Sequence, residues 1–162
     1  MNGKLWLVLL ATSMMMSCAS ARMYPVQGPL ASETPSAVYS AKLSGAFYSG
    51  SITIVAANGE VCKGHWARVA SGRSPSEVPG VATVADSSVT EGMPAAWDAV
   101  YGRGFYVSHV LGAALYGQAM LTGDKGTILN VEFYRLNPGS RSVVRIDGVA
   151  KDNHGNIFKL AF

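Results

Sequence analysis

The sequence has 162 residues, of which 13 are basic and 10 acidic, and only 14 % are charged. A chain of this length can bury the core of one ordinary domain without help from disulfides. A nucleic-acid-binding protein is expected to show a basic stripe interleaved with aromatic residues, and this sequence has none, so nucleic acid is excluded as an expected partner. The 18 glycines and 7 tyrosines favour strands and tight turns over a helical bundle.

The first part of the chain has the layout of an export signal. Lys4 supplies a positive charge, an apolar run follows over residues 5–11, and residues 12–17 lead to Cys18. The apolar run is too short to cross a bilayer, since a transmembrane helix needs about 20 apolar residues. We therefore predict a signal peptide over residues 1–17 and export of the rest of the chain.

The residues Met15-Met16-Ser17-Cys18 resemble a bacterial lipobox, in which a small residue precedes a cysteine that is lipidated and becomes the new N-terminus. The resemblance to small bacterial lipoproteins implies that Cys18 carries diacylglycerol on its sulfur and an acyl chain on its amine. Two or more acyl chains give stable membrane attachment, where one gives only marginal binding. Because Ala19 and not aspartate follows the cysteine, the resemblance also implies the outer membrane, if the source bacterium is Gram-negative.

A second cleavage site lies three residues further along the chain. The tripeptide Ala19-Ser20-Ala21 fits the A-x-A pattern of an ordinary signal peptidase. Cleavage there would leave Arg22 as the N-terminus of a soluble secreted protein without a lipid anchor. The lipobox favours the cut before Cys18, and the sequence leaves the later cut open.

The segment from residue 18 to residue 41 is rich in serine, alanine and proline. It contains Pro25, Pro29 and Pro35. Each proline removes a backbone donor and biases the preceding residue toward extended geometry. We predict that residues 18–41 are the lipidated cysteine and a flexible tether, and that residues 42–162 form a single β-rich domain. The alternative is an N-terminal arm that packs along this domain, with Tyr24 and Tyr39 as its anchors.

Three β-hairpins are predicted in the β-rich domain, each with a turn that contains glycine or asparagine. The turns lie at residues 58–59, 123–126 and 152–155. The strands are expected over residues 43–48, 51–56, 60–67, 116–122, 127–135, 143–151 and 156–162. The pattern predicts a mainly β fold: an antiparallel meander, small barrel or sandwich of about three hairpins with one short helix. Residues two apart on a strand share a face, so Cys62 and Trp66 should point into the core and His65 away from it.

A different region separates the first hairpin from the second. Residues 70–92 are rich in serine, glycine and proline and are predicted to form a long loop. The short helix is predicted over residues 93–101, because Pro94 suits a first helical turn and Gly102 can end the helix. In the uncharged run 107–121, a strand is expected from about residue 113.

The sequence contains none of the Walker, dinucleotide-binding or G-x-S-x-G motifs. A structural zinc site needs four Cys or His ligands, which this chain does not supply in a suitable spacing, so no metal and no cofactor are predicted. The candidate carboxylates are Glu60, Asp98, Glu132, Asp147 and Asp152, and no spacing singles out a pair.

A cysteine hydrolase stays an alternative, with Cys62 as nucleophile and His109 or His154 as base. If neither histidine is a catalytic base, His109 is expected in the interior of the domain and His154 is expected to be exposed in a turn.

Aromatic residues near the long loop form the remaining candidate site. They are Trp97, Tyr101, Phe105 and Tyr106. Exposed aromatic side chains beside a loop can bind a glycan or a partner protein, whereas buried ones would belong to the core. The sequence thus predicts a non-enzymatic envelope lipoprotein, attached to the membrane through Cys18, whose domain contacts an envelope protein or glycan. The alternatives are a secreted or periplasmic glycan- or peptidoglycan-binding module and a hydrolase.

Overall fold

Eight antiparallel strands close into a barrel in the computed structural model, which describes residues 17–46, 48–69, 92–111, 115–136 and 145–162. The strands are β1 (Ser17–Gln27), β2 (Tyr39–Ala46), β3 (Ser49–Val55), β4 (Val61–Val69), β5 (Leu115–Gly123), β6 (Ile128–Leu136), β7 (Arg145–Asp152) and β8 (Ile157–Ala161). The helical elements are α1 (Pro29–Glu33), α2 (Met93–Tyr101) and a π-helical segment (Tyr106–Val110). Each strand pairs with its neighbours in sequence, and β8 pairs with β1. The prediction of a mainly β antiparallel fold is confirmed, with the barrel as the correct alternative.

The barrel interior is filled by every second side chain of each strand. Its large buried side chains include Trp66, Tyr39, Phe133, Phe158, Met23, Ile52, Ile54, Leu121 and Leu160. On β4, Cys62 and Trp66 are only 1 % and 7 % exposed, whereas His65 between them is exposed, as the strand period predicted. Burial of these apolar surfaces is the main favourable term in the folding of the barrel.

Three inward-facing glycines make room for two large aromatic side chains in the barrel. Gly50 lies opposite Trp66, and both Gly117 and Gly148 lie opposite Phe133. A Cβ atom at Gly117 would lie 3.0 Å from Trp66 and 3.1 Å from Phe133, and one at Gly148 would lie 3.2 Å from Phe133. Small residues facing large ones are the way in which a small barrel fills its interior.

The N-terminal segment is part of this barrel, and the prediction of a flexible tether over residues 18–41 is wrong. Strand β1 pairs with β2 from Ser17 to Met23 and with β8 from Arg22 to Gln27. Its Ala21 and Met23 side chains lie in the core, with exposures of 5 % and 0 %. The barrel therefore begins at residue 17 and not at residue 42.

The alternative of an arm packed along the domain is closer to the structure. Tyr39 begins β2, is buried, and packs edge-on against Phe158 with 5.3 Å between ring centroids. Pro25 lies beside an irregularity in the β1–β8 register, which is one of the few places where a strand accepts proline. The sequence of β1 predicted a tether because it contains serine, alanine and proline. Alanine is only weakly apolar, so the alternation of inward and outward residues on this strand is hard to detect.

Because consecutive strands are antiparallel, four of the connections lie at the same end of the barrel, and we call this end the turn end. They are residues 28–38, 56–60, 124–127 and 153–156. All three predicted turns lie here, and Gly59, Gly126 and Gly155 have the positive φ angles of 79°, 95° and 83° that such turns need. The start of β1, with Cys18, lies at the opposite end.

Helix α2 packs against the outside of the barrel and spans the predicted residues 93–101. Its Ala96 and Trp97 are fully buried in a second apolar cluster that includes Val149 and Ile157, which face outward from β7 and β8. Asp98 holds the next segment in place, because its carboxylate accepts hydrogen bonds from the backbone N–H groups of Gly104 and Tyr106 at 3.0 and 2.9 Å.

The remaining sequence predictions are tested only in part. The strand expected from about residue 113 begins at Leu115, and a π-helical segment precedes it. The signal-peptide residues 1–16, residues 70–91 of the predicted loop and the predicted strand start at 143–144 lie outside the described residues. Among the helices that the structure describes, none is long and apolar enough to cross a bilayer.

Adding a methyl group at Gly50 should destabilise the barrel. The new Cβ would collide with the Ser44 carbonyl oxygen and lie 2.7 Å from Trp66 Nε1. Overpacking of this kind costs about 1–3 kcal/mol, so the urea midpoint of Gly50→Ala should fall clearly. Ser49→Ala, at the exposed neighbouring position on β3, is the control and should behave like wild type. Equal midpoints for the two variants would contradict the packing role of this glycine.

Candidate functional site

A cavity of about 400 Å³ opens at the turn end of the barrel, and we call its opening the mouth. Its floor is apolar and includes Met23, Ile54, Leu129 and Phe158. Its rim is polar and includes Glu60, Asp152, Lys125 and Asn156. An apolar floor with a few polar groups at the rim is the usual make-up of a small-molecule site.

Glu60 is 5 % exposed and holds the β5–β6 connection. Its Oε1 atom accepts hydrogen bonds from the backbone N–H groups of Lys125 and Thr127 at 3.2 and 3.1 Å. Its Oε2 atom accepts a third from the Thr127 hydroxyl at 2.9 Å. These bonds compensate the burial of the carboxylate and fix one side of the mouth.

Asp152 is 4 % exposed and holds the β7–β8 connection in the same way. Its Oδ1 atom accepts hydrogen bonds from the backbone N–H groups of His154 and Asn156 at 2.9 and 2.8 Å. Its Oδ2 atom accepts one from Asn156 Nδ2 at 2.7 Å. Asn156 Oδ1 in turn accepts the backbone N–H of Leu30 at 2.9 Å, which attaches α1 to the rim.

Tyr39 brings a hydroxyl group to this cavity. The side chain is 9 % exposed and lines the cavity, and its hydroxyl has no hydrogen-bond partner among the residues that the structure describes. Burial raises the pKa of Tyr39, and the negative charges of Asp152 and Glu60 raise it further. The phenol is therefore a neutral group that can bond to a ligand beside two carboxylates.

Cys62 faces the same cavity but lacks the properties of an activated nucleophile. Burial, reinforced by the charges of Glu60, Asp124 and Asp152, raises the pKa of its thiol to about 11. Reactive cysteines have a lowered pKa, because the thiolate is the nucleophile. The thiol is therefore protonated near neutral pH, which does not favour the hydrolase alternative.

The two histidines of that alternative lie in different places. His154 is exposed in its turn, as predicted, and shares the cavity lining with Cys62. Its Nδ1 atom lies 3.9 Å from Asp152 Oδ2. His109 is exposed on the π-helical segment and stacks on Phe105 with 4.5 Å between ring centroids. The expectation of an interior His109 is therefore wrong.

The predicted aromatic surface is largely a packed layer under and beside α2. Trp97 has 0 % exposure, so it is not available for binding, because α2 places it against the outward-facing apolar residues of β7 and β8. Tyr101 and Phe105 stack on it at centroid distances of 5.5 and 5.9 Å and stay half-buried, as does Tyr106. Of the four predicted aromatic residues, Tyr101, Phe105 and Tyr106 are therefore the ones with solvent-exposed area.

Cys18, the predicted lipidation residue, is exposed and lies near the start of β1. Its side chain faces outward, because Ala21 and Met23 on the same strand face the core and Ser20 and Arg22 are exposed. Cys18 and Cys62 are both free thiols and lie on opposite sides of the barrel wall.

No family model matches this chain, and no curated protein or solved structure is significantly similar to it. The site must therefore be judged from its own chemistry. In the described part of the chain, no group of three Cys, His, Asp or Glu side chains is placed to hold a metal ion.

Sequence reasoning considered Glu60 and Asp152 but did not bring them together. They lie 92 positions apart, yet both belong to connections at the turn end. In an up-and-down barrel every second connection lies at the same end, so this juxtaposition follows once the strands are counted correctly. Tyr39 was assigned to the tether or its packed alternative, and its place in the cavity depends on β1 completing the barrel.

Glu132 is a buried carboxylate outside the barrel, beneath Trp97. It faces outward from β6, is 8 % exposed, and accepts a 2.6 Å hydrogen bond from Trp97 Nε1. Burial raises the pKa of Glu132, although the bond from Trp97 opposes this effect. Since the pKa is higher in the folded than in the unfolded state, the contribution of Glu132 to stability is full below the unfolded value and is lost as pH rises through the folded value.

Glu132→Gln should therefore be more stable than wild type at pH 8, and the difference should shrink toward pH 4. Glutamine stays neutral and can still accept the bond from Trp97. Urea unfolding at both pH values measures the effect. Asp98→Asn is the control of opposite sign, because backbone hydrogen bonds lower the pKa of Asp98 and its charge stabilises the fold above acid pH. A pH-independent difference for Glu132→Gln would contradict this assignment.

Proposed function

We propose that this protein is an exported envelope lipoprotein in which Cys18 carries the lipid anchor and the barrel binds rather than transforms its ligand. The observation that carries the proposal is the place of Cys18 at the start of β1, exposed and facing outward. At this position acyl chains can enter a bilayer while β1 stays paired in the barrel.

The strand register supports cleavage before Cys18 rather than after Ala21. Residues 18–21 pair with residues 41–44 of β2, and Ala21 is buried in the core. Cleavage after Ala21 would remove this paired half of β1 and leave part of β2 as an open edge, which is a site for aggregation. Cleavage before Cys18 removes only Ser17 from the strand.

The anchor and the cavity mouth lie at opposite ends of the barrel. Strand β1 runs from Cys18 toward Pro25 at the turn end, a distance of roughly 23 Å at about 3.3 Å per residue. Because Cys18 is itself part of β1, with no tether between the anchor and the barrel, the barrel is held directly at the membrane surface. The mouth stays clear of the attached acyl chains and open to a soluble ligand.

A second function, the binding of a small amphiphilic amine, is supported by the cavity itself. An eight-stranded barrel has an interior that either is filled by side chains or holds one small ligand. Here a cavity of about 400 Å³ joins an apolar floor to the Tyr39 hydroxyl and the carboxylates of Glu60 and Asp152. Each carboxylate already accepts three hydrogen bonds and has capacity for one more donor. An ammonium group attached to an apolar chain fits this arrangement.

The aromatic surface gives less support to glycan binding. Trp97 is buried, so a glycan-binding surface would rest on the half-buried Tyr101, Phe105 and Tyr106. Glycan or peptidoglycan binding therefore stays the weaker alternative.

Cys18→Ser should abolish acylation of the protein in a bacterial host. After growth with an alkyne analogue of palmitate, wild type should be labelled and should fractionate with membranes. Cys62→Ser, which changes a cysteine inside the barrel, is the control and should be labelled like wild type. A wild-type product whose intact mass begins at Arg22 without an acyl group would contradict the anchor.

Octylamine should stabilise the protein against heat, and octanoate should not. At ten times its Kd a ligand adds about 1.4 kcal/mol, which raises the Tm of a domain of this size by ~3–6 °C. Tyr39→Phe should be at least as stable as wild type without ligand, because its hydroxyl has no partner in the described structure, and should show a smaller shift with octylamine. Equal shifts with octylamine and octanoate would exclude the amine specificity.

A further inference from the structure

Strands β1 to β4 present a face to solvent that carries only positive charge, and we call it the basic face. Its exposed charged residues are Arg22, Lys42 and Lys63, and the exposed His65 lies among them. The strand register places Lys42 between Ser20 and Thr53, and Thr53 beside Lys63. Lys42 and Lys63 therefore lie two strands apart in one row, at about 10 Å.

The outward positions of these four strands carry no carboxylate within the residues that the structure describes. Of the carboxylates that the structure describes, Glu60 and Asp152 line the cavity, and Glu132 and Asp147 are buried on β6 and β7. Asp98 lies on α2, and the exposed Glu33 lies on α1 in the β1–β2 connection at the turn end. Asp124 lies opposite Val61 at the turn-end edge of the face, where its Oδ1 atom accepts the backbone N–H of Val61. The basic face is therefore not neutralised by its own strands.

Cys18 belongs to the same face. It lies in one outward-facing row with Ser44, Ser51 and His65. Lys42 is two residues from Ser44, the strand partner of Cys18, so its Cα atom lies about 7–8 Å from that of Cys18 on the diagonal. Acyl chains on Cys18 would enter the bilayer beside these basic side chains.

The residues between the charges are small and polar. Ser20, Ser40, Ser44 and Ser51 occupy the outward positions around Lys42, and Ser44 and Ser51 bond to each other through their hydroxyls at 2.6 Å. Helix α2 packs mainly on β7 and β8, with a smaller contact on β1, and neither described α-helix has a substantial contact with β2 to β4. Within the described residues the result is an open, concave surface of lysine, arginine and serine, with Tyr24 and Val55 among them, which can bind a layer of phosphate groups.

We infer that the basic face docks on the anionic phospholipid headgroups of the membrane that holds the anchor. The inference deepens the proposed function, because it takes the anchored membrane as the partner. Basic residues beside an acyl chain are a second membrane signal, and each contributes attraction to an anionic surface. The barrel then lies on its β1–β4 side, with α2 away from the bilayer and the mouth opening along the surface.

The test uses the chain from residue 18 onward with Cys18→Ser, which keeps every core residue of the barrel and lacks any acyl chain. Sedimentation with vesicles of phosphatidylglycerol and phosphatidylethanolamine measures binding at low salt, and vesicles without the anionic lipid are the reference. We expect at least about tenfold stronger partitioning to the anionic vesicles, lost in 0.5 M salt.

Lys42→Glu/Lys63→Glu should reduce this partitioning at least about tenfold. Lys125→Glu/Arg103→Glu is the matched control, because it changes the net charge equally at exposed positions outside the basic face. Equal loss in both double variants, or equal binding to both kinds of vesicle, would overturn the inference. Binding to soluble polyphosphate without binding to anionic vesicles would also overturn it. Because the test protein has no lipid, the two proposals are tested separately. Absence of vesicle binding would not affect the proposed anchor at Cys18, and absence of acylation would not affect the vesicle-binding result.

Discussion

The pairing of β1 with β8 is the contact on which the rest of the structure depends. It runs from Arg22 opposite Ala161 to Gln27 opposite Ile157, and it turns a meander with two edges into a closed barrel. Open edges would expose unpaired backbone groups that invite association with other chains. Closure also separates an interior from an exterior, so that Met23 completes the cavity floor while Cys18 and Arg22 on the same strand remain in solvent. The candidate site and the basic face both result from this separation.

The turn end is held by side chains that bond to backbone groups of a neighbouring connection. Glu60 bonds to the β5–β6 connection, Asp124 to the start of β4, and Asn153 Oδ1 to the backbone N–H of Ile128 at 3.1 Å. Asn156 extends the same arrangement to α1. Each bond joins elements that are distant in sequence, so the connections support one another around the mouth. A rim fixed in this way needs little reordering when a ligand binds, which lowers the entropic cost of binding.

The sequence signals that succeeded are local ones. The turn at Gly59 and the helix that ends at Gly102 depend on the backbone preferences of a few adjacent residues, and the structure has both. Strand β1 was missed because Met23 is the one long apolar side chain among its described inward-facing residues and its partners on β8 lie 130 or more positions away. The burial of Trp97 has a signal that sequence reasoning did not use: Val149 and Ile157 are apolar residues at outward positions of β7 and β8, and an apolar patch on the outside of a sheet needs a cover. The cavity required closure, which no local pattern specifies.

The alternation of inward and outward residues along β1 connects the proposed anchor with the basic face and with the barrel core. Cys18, Ser20 and Arg22 share the outward side of the strand, so the proposed lipid on Cys18 and the charge of Arg22 would meet the same membrane. A shift of one residue in the β1–β2 register would turn Cys18 inward and Ala21 outward, which would bury the proposed anchor residue and empty part of the core together. The burial of Ala21 and Met23 therefore enforces the exposure of Cys18. The packing of the barrel core and the proposed attachment to the membrane thus require the same register of β1.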